Sequence, residues 1–170
     1  MKPIRTVFNK SWIPYKCKVE YFLDSSVPQF EAPVTTVHGF FVEEQKLLLV
    51  RHKNRGWEVP GGHVEKGENY EQAMRRELQE EAQVECGALN CLGYLKKEAQ
   101  EEAPKDCSYP HPLSYCLFYS SYITEKSKFT GDNSIVEANF FDFEEAKKFP
   151  WIKSYIEYFE TFVINVTTHQ

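Results

Sequence analysis

The chain has 170 residues, 42% hydrophobic and 15% aromatic with 13 Phe and 10 Tyr, which excludes a disordered class and suits one domain with a packed core. A formal charge of −5 argues against a surface built to grip a nucleic-acid polymer, which works through clustered Lys and Arg. The five cysteines, Cys17, Cys86, Cys91, Cys107 and Cys116, are an odd number without a C-x-x-C pair, so the expectation is reduced thiols in a cytoplasmic protein and no zinc frame.

Residues 1–30 are aromatic and irregular, with CKVEYF as a possible strand, and are expected to pack as an extension on the core. They hold no continuous apolar run, and the longest aliphatic run anywhere is LLLV at 47–50, so neither a signal peptide nor a membrane span is expected. The N-x-S/T triplets at Asn9 and Asn165 would matter only in a secreted chain. Two aliphatic, β-branched stretches, 34–44 and 45–53, read as strands joined by a polar turn at Glu43–Gln45. A glycine-rich turn, PGGHVEKGE at 60–68, comes next. Segment 69–83 opens with Asn69 as N-cap and Gln72 three residues on, and places Ala73, Met74, Leu78 and Ala82 at helical spacing, which predicts an amphipathic helix. Strands are expected again at 89–97, 113–123 and 136–143, then a short helix at 144–148 and an aromatic one at 151–163. No internal repeat or linker divides the chain, so residues 1–170 are expected to form a single domain of the α/β (α+β) class, a mixed sheet with helices on its faces.

The polar face of the predicted helix is its informative side. In RRELQEEA, residues 75–82, Glu77, Glu80 and Glu81 stand at i, i+3 and i+4 and share one face. Like charges so spaced repel by roughly 0.2–0.5 kcal/mol per pair. Crowded carboxylates are what a hard divalent cation such as Mg²⁺ or Mn²⁺ requires, because these ions prefer oxygen ligands. A cation with a spare carboxylate suggests hydrolysis, one Glu taking a proton from water while the ion offsets phosphate charge. A Walker A reading of the upstream glycines fails, since Gly62 and Gly67 are followed by Glu68 and Asn69 where a phosphate-binding Lys and a hydroxyl are needed.

These residues resemble the Nudix box, G-x5-E-x7-R-E-U-x-E-E-x-G-U with U aliphatic. Here the pattern runs Gly62, Glu68, then Arg76-Glu77-Leu78-Gln79-Glu80-Glu81-Ala82-Gln83-Val84, and every fixed position of the box at 62–84 matches except the last glycine, which is Gln83. The resemblance implies a Nudix-type α/β/α sandwich and hydrolysis of a nucleoside diphosphate derivative at its pyrophosphate bond. Carried over by position, Glu77 and Glu80 would be catalytic with Arg76 orienting Glu77, and Glu77, Glu80, Glu81 and the Gly61 carbonyl would hold Mg²⁺ or Mn²⁺. Glu68 would be structural. A later acid completes the site in many relatives, and Glu137, with Asp132 behind it, is the candidate. If the missing glycine marks a left-handed helix end, a residue with a Cβ costs roughly 1 kcal/mol there, which Gln83→Gly would relieve.

The most basic stretch of this acidic chain is RHKNRGW at 51–57, so Arg51 and Arg55 are candidates for drawing in a polyphosphate and Trp57 for stacking on a base, with a buried strand aromatic as its alternative. The markers of ADP-ribose and diadenosine-polyphosphate hydrolases are missing where Ala99, Glu101 and Glu102 stand. By elimination the chain looks MutT-like, cleaving a nucleoside triphosphate, oxidised ones included, to monophosphate and pyrophosphate. Another NDP-X substrate such as ADP-ribose or a nucleotide sugar, a silent nucleotide-sensing domain, and a structural domain with an acidic helix are the alternatives. Partners would be a small nucleotide, with no polymer and no membrane, and aromatic residues in 1–30 leave room for a homodimer.

Overall fold

The run LLLV is apolar without alternation, and in the computed structural model, which describes residues 1–9, 13, 15–102, 110–131 and 134–168, the reason is burial on both faces of a sheet. The elements in chain order are β1 (Arg5–Phe8), β2 (Cys17–Leu23), β3 (Val34–Glu43), β4 (Lys46–His52), β5 (Gly56–Glu58), β6 (Gly61–His63), α1 (Tyr70–Ala82), β7 (Val84–Cys86), β8 (Asn90–Ala99), β9 (Leu113–Lys126), β10 (Ile135–Asp142), α2 (Phe143–Ala146), α3 (Pro150–Ser154) and α4 (Ile156–Thr168). The main path of strands is β1-β2-β8-β9-β3-β4-β10, with β5 on β4, β6 on β3 and β7 on β9. Along it only β3–β9 is parallel, so the sheet is mixed and the fold is α+β.

Strict alternation divides the core in two. Leu48 and Val50 of β4, Val37 and Phe41 of β3 and Leu117 and Tyr119 of β9 pack with Ala73, Met74, Leu78 and Ala82 of α1. Their neighbours Leu47, Leu49, Phe40, Val42, Cys116 and Phe118 pack on the other face with Tyr158, Phe159, Phe162 and Val166 of α4. Burying Met74 and Leu78 contributes roughly 1.5–3 kcal/mol each, several times the repulsion among the α1 carboxylates. The helix therefore docks despite its acidic face.

The β3–β4 turn has Glu44 at φ 47° and Gln45 at φ 64°, the two-residue turn whose twist suits a hairpin. The aromatic segment expected as one helix is two. Tyr155 between them leaves helical backbone at φ −128°, ψ 34°, and its ring lies 4.4 Å from Trp151 and 5.4 Å from Phe118. The N-terminal strands extend the sheet past β8, and Cys17, Val19 and Tyr21 of β2 are fully buried. Cys107 and Asp132 fall outside the described residues. No described helix is long and apolar enough to cross a membrane.

Candidate active site

Two glycines bring backbone close beneath the acidic helix. β6 pairs with β3 through His38↔Gly61, Val37↔Gly62 and Thr36↔His63. A Cβ on Gly61 would run into the Val37 carbonyl and the His38 ring, and one on Gly62 would stand 2.5–2.7 Å from the Glu77 carboxylate atoms. The glycines are thus required by close approach, the first to β3 and the second to α1. The helix start is fixed by a complete capping box, Asn69 accepting from the Gln72 amide and Gln72 reaching back to the Asn69 amide, each at 2.9 Å.

Arg76 organises one end of the acidic face. Its Nε and Nη2 donate to Glu68 at 2.7 and 3.1 Å, its Nη1 to Glu77 at 2.9 Å and Glu80 at 3.1 Å, and its Nη2 to the His63 carbonyl at 2.8 Å. Those five bonds engage a guanidinium that has five N–H groups. The hydrogen bonding to Glu68 raises the Arg76 pKa against the lowering effect of burial, the bond to Glu77 adds to the rise, and the contact with Arg76 first of all lowers that of Glu68. Burial raises the Glu77 pKa, with the charges of Glu81 and Glu80 adding to it, against the lowering effect of Arg76. The Glu80 side chain is 58% exposed, whereas that of Glu77 is largely buried.

Glu81 is gripped from the opposite side. Its Oε2 accepts the Gly61 N–H at 2.9 Å, and its Oε1 lies 3.4 Å from His52 Nε2. The same His52 nitrogen is 2.6 Å from Glu58 Oε1, and Arg55 donates to that oxygen from Nη2 at 2.6 Å and Nε at 3.1 Å. Burial alone would push His52 down, but hydrogen bonds to Glu58 and Glu81 outweigh it and hold it at about 9. Burial would likewise raise Glu58, and the bonds from His52 and Arg55 hold it low.

The structure therefore brings together Gly61, Arg76, Glu77, Glu80 and Glu81, and joins Arg55 to them through Glu58 and His52. Arg51, Trp57 and Glu137 stand elsewhere. Val50 and His52 face α1, so alternation turns Arg51 to the other face, where Glu137 opposes it across β4–β10 and pairs with it at 3.0 Å. Trp57, opposite Arg51 in β5, packs half-buried with its ring centre 4.8 Å from that of Phe141 and 6.1 Å from that of Phe149. Glu58 is a further member of the site that the sequence pattern does not reveal. Its signal is an acid within a short strand, and its partners become visible only through the β4–β5 register.

Among the described residues no three His, Cys, Asp or Glu side chains are already gathered as a metal cage. The donor set nevertheless fits a hard cation. All three acids are oxygen donors on one helix face, the space left by the absent Gly62 Cβ is filled by the Glu77 carboxylate, and Glu77 is held up in part by its like-charged neighbours, a strain that a divalent ion relieves. Glu77, Glu80, Glu81 and the Gly61 backbone are the groups that would hold it.

The NUDIX domain family model matches residues 32–162. An ADP-ribose pyrophosphatase of Methanocaldococcus jannaschii is 40% identical over 53 residues, 29% of this chain and 31% of that protein. The putative 8-oxo-dGTP diphosphatase YtkD of Bacillus subtilis is 45% identical over 51 residues, 30% of this chain and 32% of that protein. The match to these curated relatives thus spans about a third of their length. Among solved structures, the Bacillus subtilis pyrophosphohydrolase BsRppH superposes with a TM-score of 0.60 at 24% identity, covering 84% of this chain and 76% of that one. The NUDIX domain of Shewanella oneidensis NrtR, complexed with ADP ribose, gives 0.57 at 20%, covering 78% and 87%. At these identities the structural likeness establishes the fold.

Proposed function

Since this chain belongs to the NUDIX family, we propose that it is a hydrolase of nucleoside diphosphate derivatives that cleaves a phosphoanhydride bond with Mg²⁺ or Mn²⁺. The observation that carries this reading is the face of α1 on which Glu77 is seated at Gly62, Glu81 is bonded to the Gly61 N–H, and Glu77 and Glu80 are both held by Arg76. A divalent ion bound there supplies charge neutralisation for the phosphate oxygens. The chain supplies the rest. Glu77, seated against Gly62, and Glu81, clamped at Gly61, are the fixed donors. Glu80, the most exposed of the three and tied among the described residues to Arg76, is the proton acceptor. As the water oxygen bonds to phosphorus, its proton passes to the Glu80 carboxylate and the bridging P–O bond breaks, its electron pair leaving with the phosphate fragment. Arg76 keeps Glu77 and Glu80 aligned throughout. For Glu137 to join the donor set, it would have to leave Arg51.

The preferred substrate class is a nucleoside triphosphate, oxidised purines included, cleaved to monophosphate and pyrophosphate. ADP-ribose is the second reading, motivated by the name of the archaeal relative. The test is release of pyrophosphate or phosphate from triphosphates, oxidised guanine nucleotides, nucleotide sugars, ADP-ribose and dinucleoside polyphosphates, with Mg²⁺ and with chelator. Metal-dependent pyrophosphate release favouring triphosphates is expected. Turnover in chelator would overturn the mechanism, and ADP-ribose as best substrate would replace the substrate assignment. Glu80→Gln and Glu81→Gln should each lower kcat by roughly 10²–10⁴ with the fold intact, and unimpaired turnover in both variants would sink the roles assigned to the acids.

A further inference from the structure

We propose that His52 and Glu58 are positioning residues that fix the Glu81 carboxylate at the Gly61 backbone; the inference rests on the reading of the α1 acids as a hydrolytic site and extends it to two residues outside the helix and its box. They stand on the α1 face of the sheet, His52 at the end of β4 and Glu58 in β5 opposite Val50. Their side chains are nearly closed off, 12% exposed for His52, 11% for Glu58 and 12% for Glu81.

Enclosure is what gives these contacts consequence. A carboxylate out of water is costly unless donors surround it, and Glu58 Oε1 is surrounded by His52 at 2.6 Å and by two nitrogens of Arg55 at 2.6 and 3.1 Å. Both basic groups thus converge on one oxygen, which brings Arg55 Nη2 to 2.6 Å from His52 Nε2. Glu58 thereby anchors the imidazole, and the same Nε2 lies 3.4 Å from Glu81 Oε1, a looser ion-pair contact than a short hydrogen bond, so that this one ring nitrogen stands between the two carboxylates. The other oxygen of Glu81 takes the Gly61 N–H at 2.9 Å. Two supports from two strands thus set the rotation of Glu81.

Without His52 that carboxylate would keep one support while Glu77 and Glu80, on the same face, repel it. The chain from Arg55 through Glu58 and His52 to Glu81 holds the acid in place before any substrate arrives, so its ordering need not accompany the reaction. It also explains a buried acid and a half-buried histidine for which the helix box has no use.

The test compares the wild type with His52→Phe, which keeps ring volume and removes the polar nitrogens, His52→Gln, which restores an N–H of similar reach, Glu58→Gln and Glu81→Gln. Mn²⁺ binding to the chelator-stripped protein is measured by electron paramagnetic resonance, with kcat, KM and melting temperature followed in parallel. Residues that orient metal-holding groups typically change affinity or activity by about 10–100-fold. His52→Phe should weaken Mn²⁺ binding and lower kcat within that range with KM nearly unchanged, Glu58→Gln should do so more mildly, and His52→Gln should recover most of the loss. Wild-type Mn²⁺ affinity and kcat in His52→Phe would overturn the proposal, as would losses that follow melting temperature alone with no recovery in His52→Gln. If Glu81→Gln weakens Mn²⁺ binding while His52→Phe does not, the positioning role falls and the hydrolytic reading stands. If Glu81→Gln leaves binding untouched, both fall. Should His52→Phe not fold, Glu58→Gln carries the same comparison.

Discussion

A methyl group on Gly62 would stand 2.5 Å from Glu77 Oε1, and the Glu77 side chain, being flexible at its end, would move aside. Gly62→Ala should therefore fold with a melting temperature close to wild type and lose activity by about tenfold or more, since displacement of a positioned group by an ångström can cost on the order of 100-fold. Full activity in a folded Gly62→Ala would mean that Glu77 needs no fixed seat. His38 offers a separate test at the same scale. Among the described residues its buried Nδ1 has no hydrogen-bond partner, and its ring lies 5.8 and 5.4 Å from those of Phe118 and Trp151. Burial lowers it to about 4, opposed in part by the charge of Glu58. A histidine depressed in the fold is protonated first in the unfolded chain, so the unfolded state binds more protons below the ordinary value near 6.5 and stability falls as pH drops from there toward 4. The loss should approach roughly 3 kcal/mol. Denaturant unfolding of wild type and His38→Phe between pH 7 and 4.5 should show the variant gaining stability relative to wild type as pH falls, and a constant difference would refute the buried neutral imidazole.

At the scale of elements, the end of α1 shows why a box position can change without loss. Gln83 is left-handed at φ 57°, ψ 41°, where glycine is the unstrained residue by roughly 1 kcal/mol. The strain expected from sequence is present, but its side chain answers it. Nε2 donates to Thr130 Oγ1 and Oε1 accepts from the Thr130 amide, both at 2.7 Å, and two such bonds contribute roughly 0.5–1.5 kcal/mol each when well formed. Gln83→Gly should consequently shift the melting temperature by no more than about 2 °C, because strain relief and lost bonds offset one another. Gln83→Ala keeps the strain and loses the bonds, so it should melt about 3–6 °C lower. A Gln83→Ala protein as stable as Gln83→Gly would show that the Thr130 bonds contribute nothing.

For the whole molecule the N-terminal strands set the limits of what can be removed. The family match begins at residue 32, yet Tyr158 on α4 accepts from the Phe22 amide at 3.3 Å and donates to the Tyr94 carbonyl at 2.6 Å, tying β2 and β8 to the C-terminal helix. Arg5 adds a bond to the Ser154 carbonyl at 2.6 Å and an ion pair with Glu157 at 3.0 Å. Losing buried Val19, Tyr21 and Phe22 removes roughly 1.5–3 kcal/mol each, most of the 5–15 kcal/mol that holds an ordinary domain. A chain starting at residue 25 should aggregate on expression or melt at least 10 °C lower, and a soluble truncated protein of wild-type melting temperature would contradict the role of β2 in the core.

The boundary between what sequence and fold each decided follows the range of the forces involved. The α1 acids, the capping box and the long strands were legible because they depend on residues one to four positions apart, where charge spacing, caps and apolar period act directly. The strands β5, β6 and β7 have three residues each, too few to show a period, and they exist because a longer strand lies beside them. The same dependence governs Glu58 and His52, which meet across a strand pair, and Arg51, Trp57 and Glu137, which alternation turns to the face away from α1. By itself the sequence determined that carboxylates would crowd on one helix face. Only the tertiary structure decided which neighbours hold each of them, because burial and cross-strand register are properties of the packed sheet.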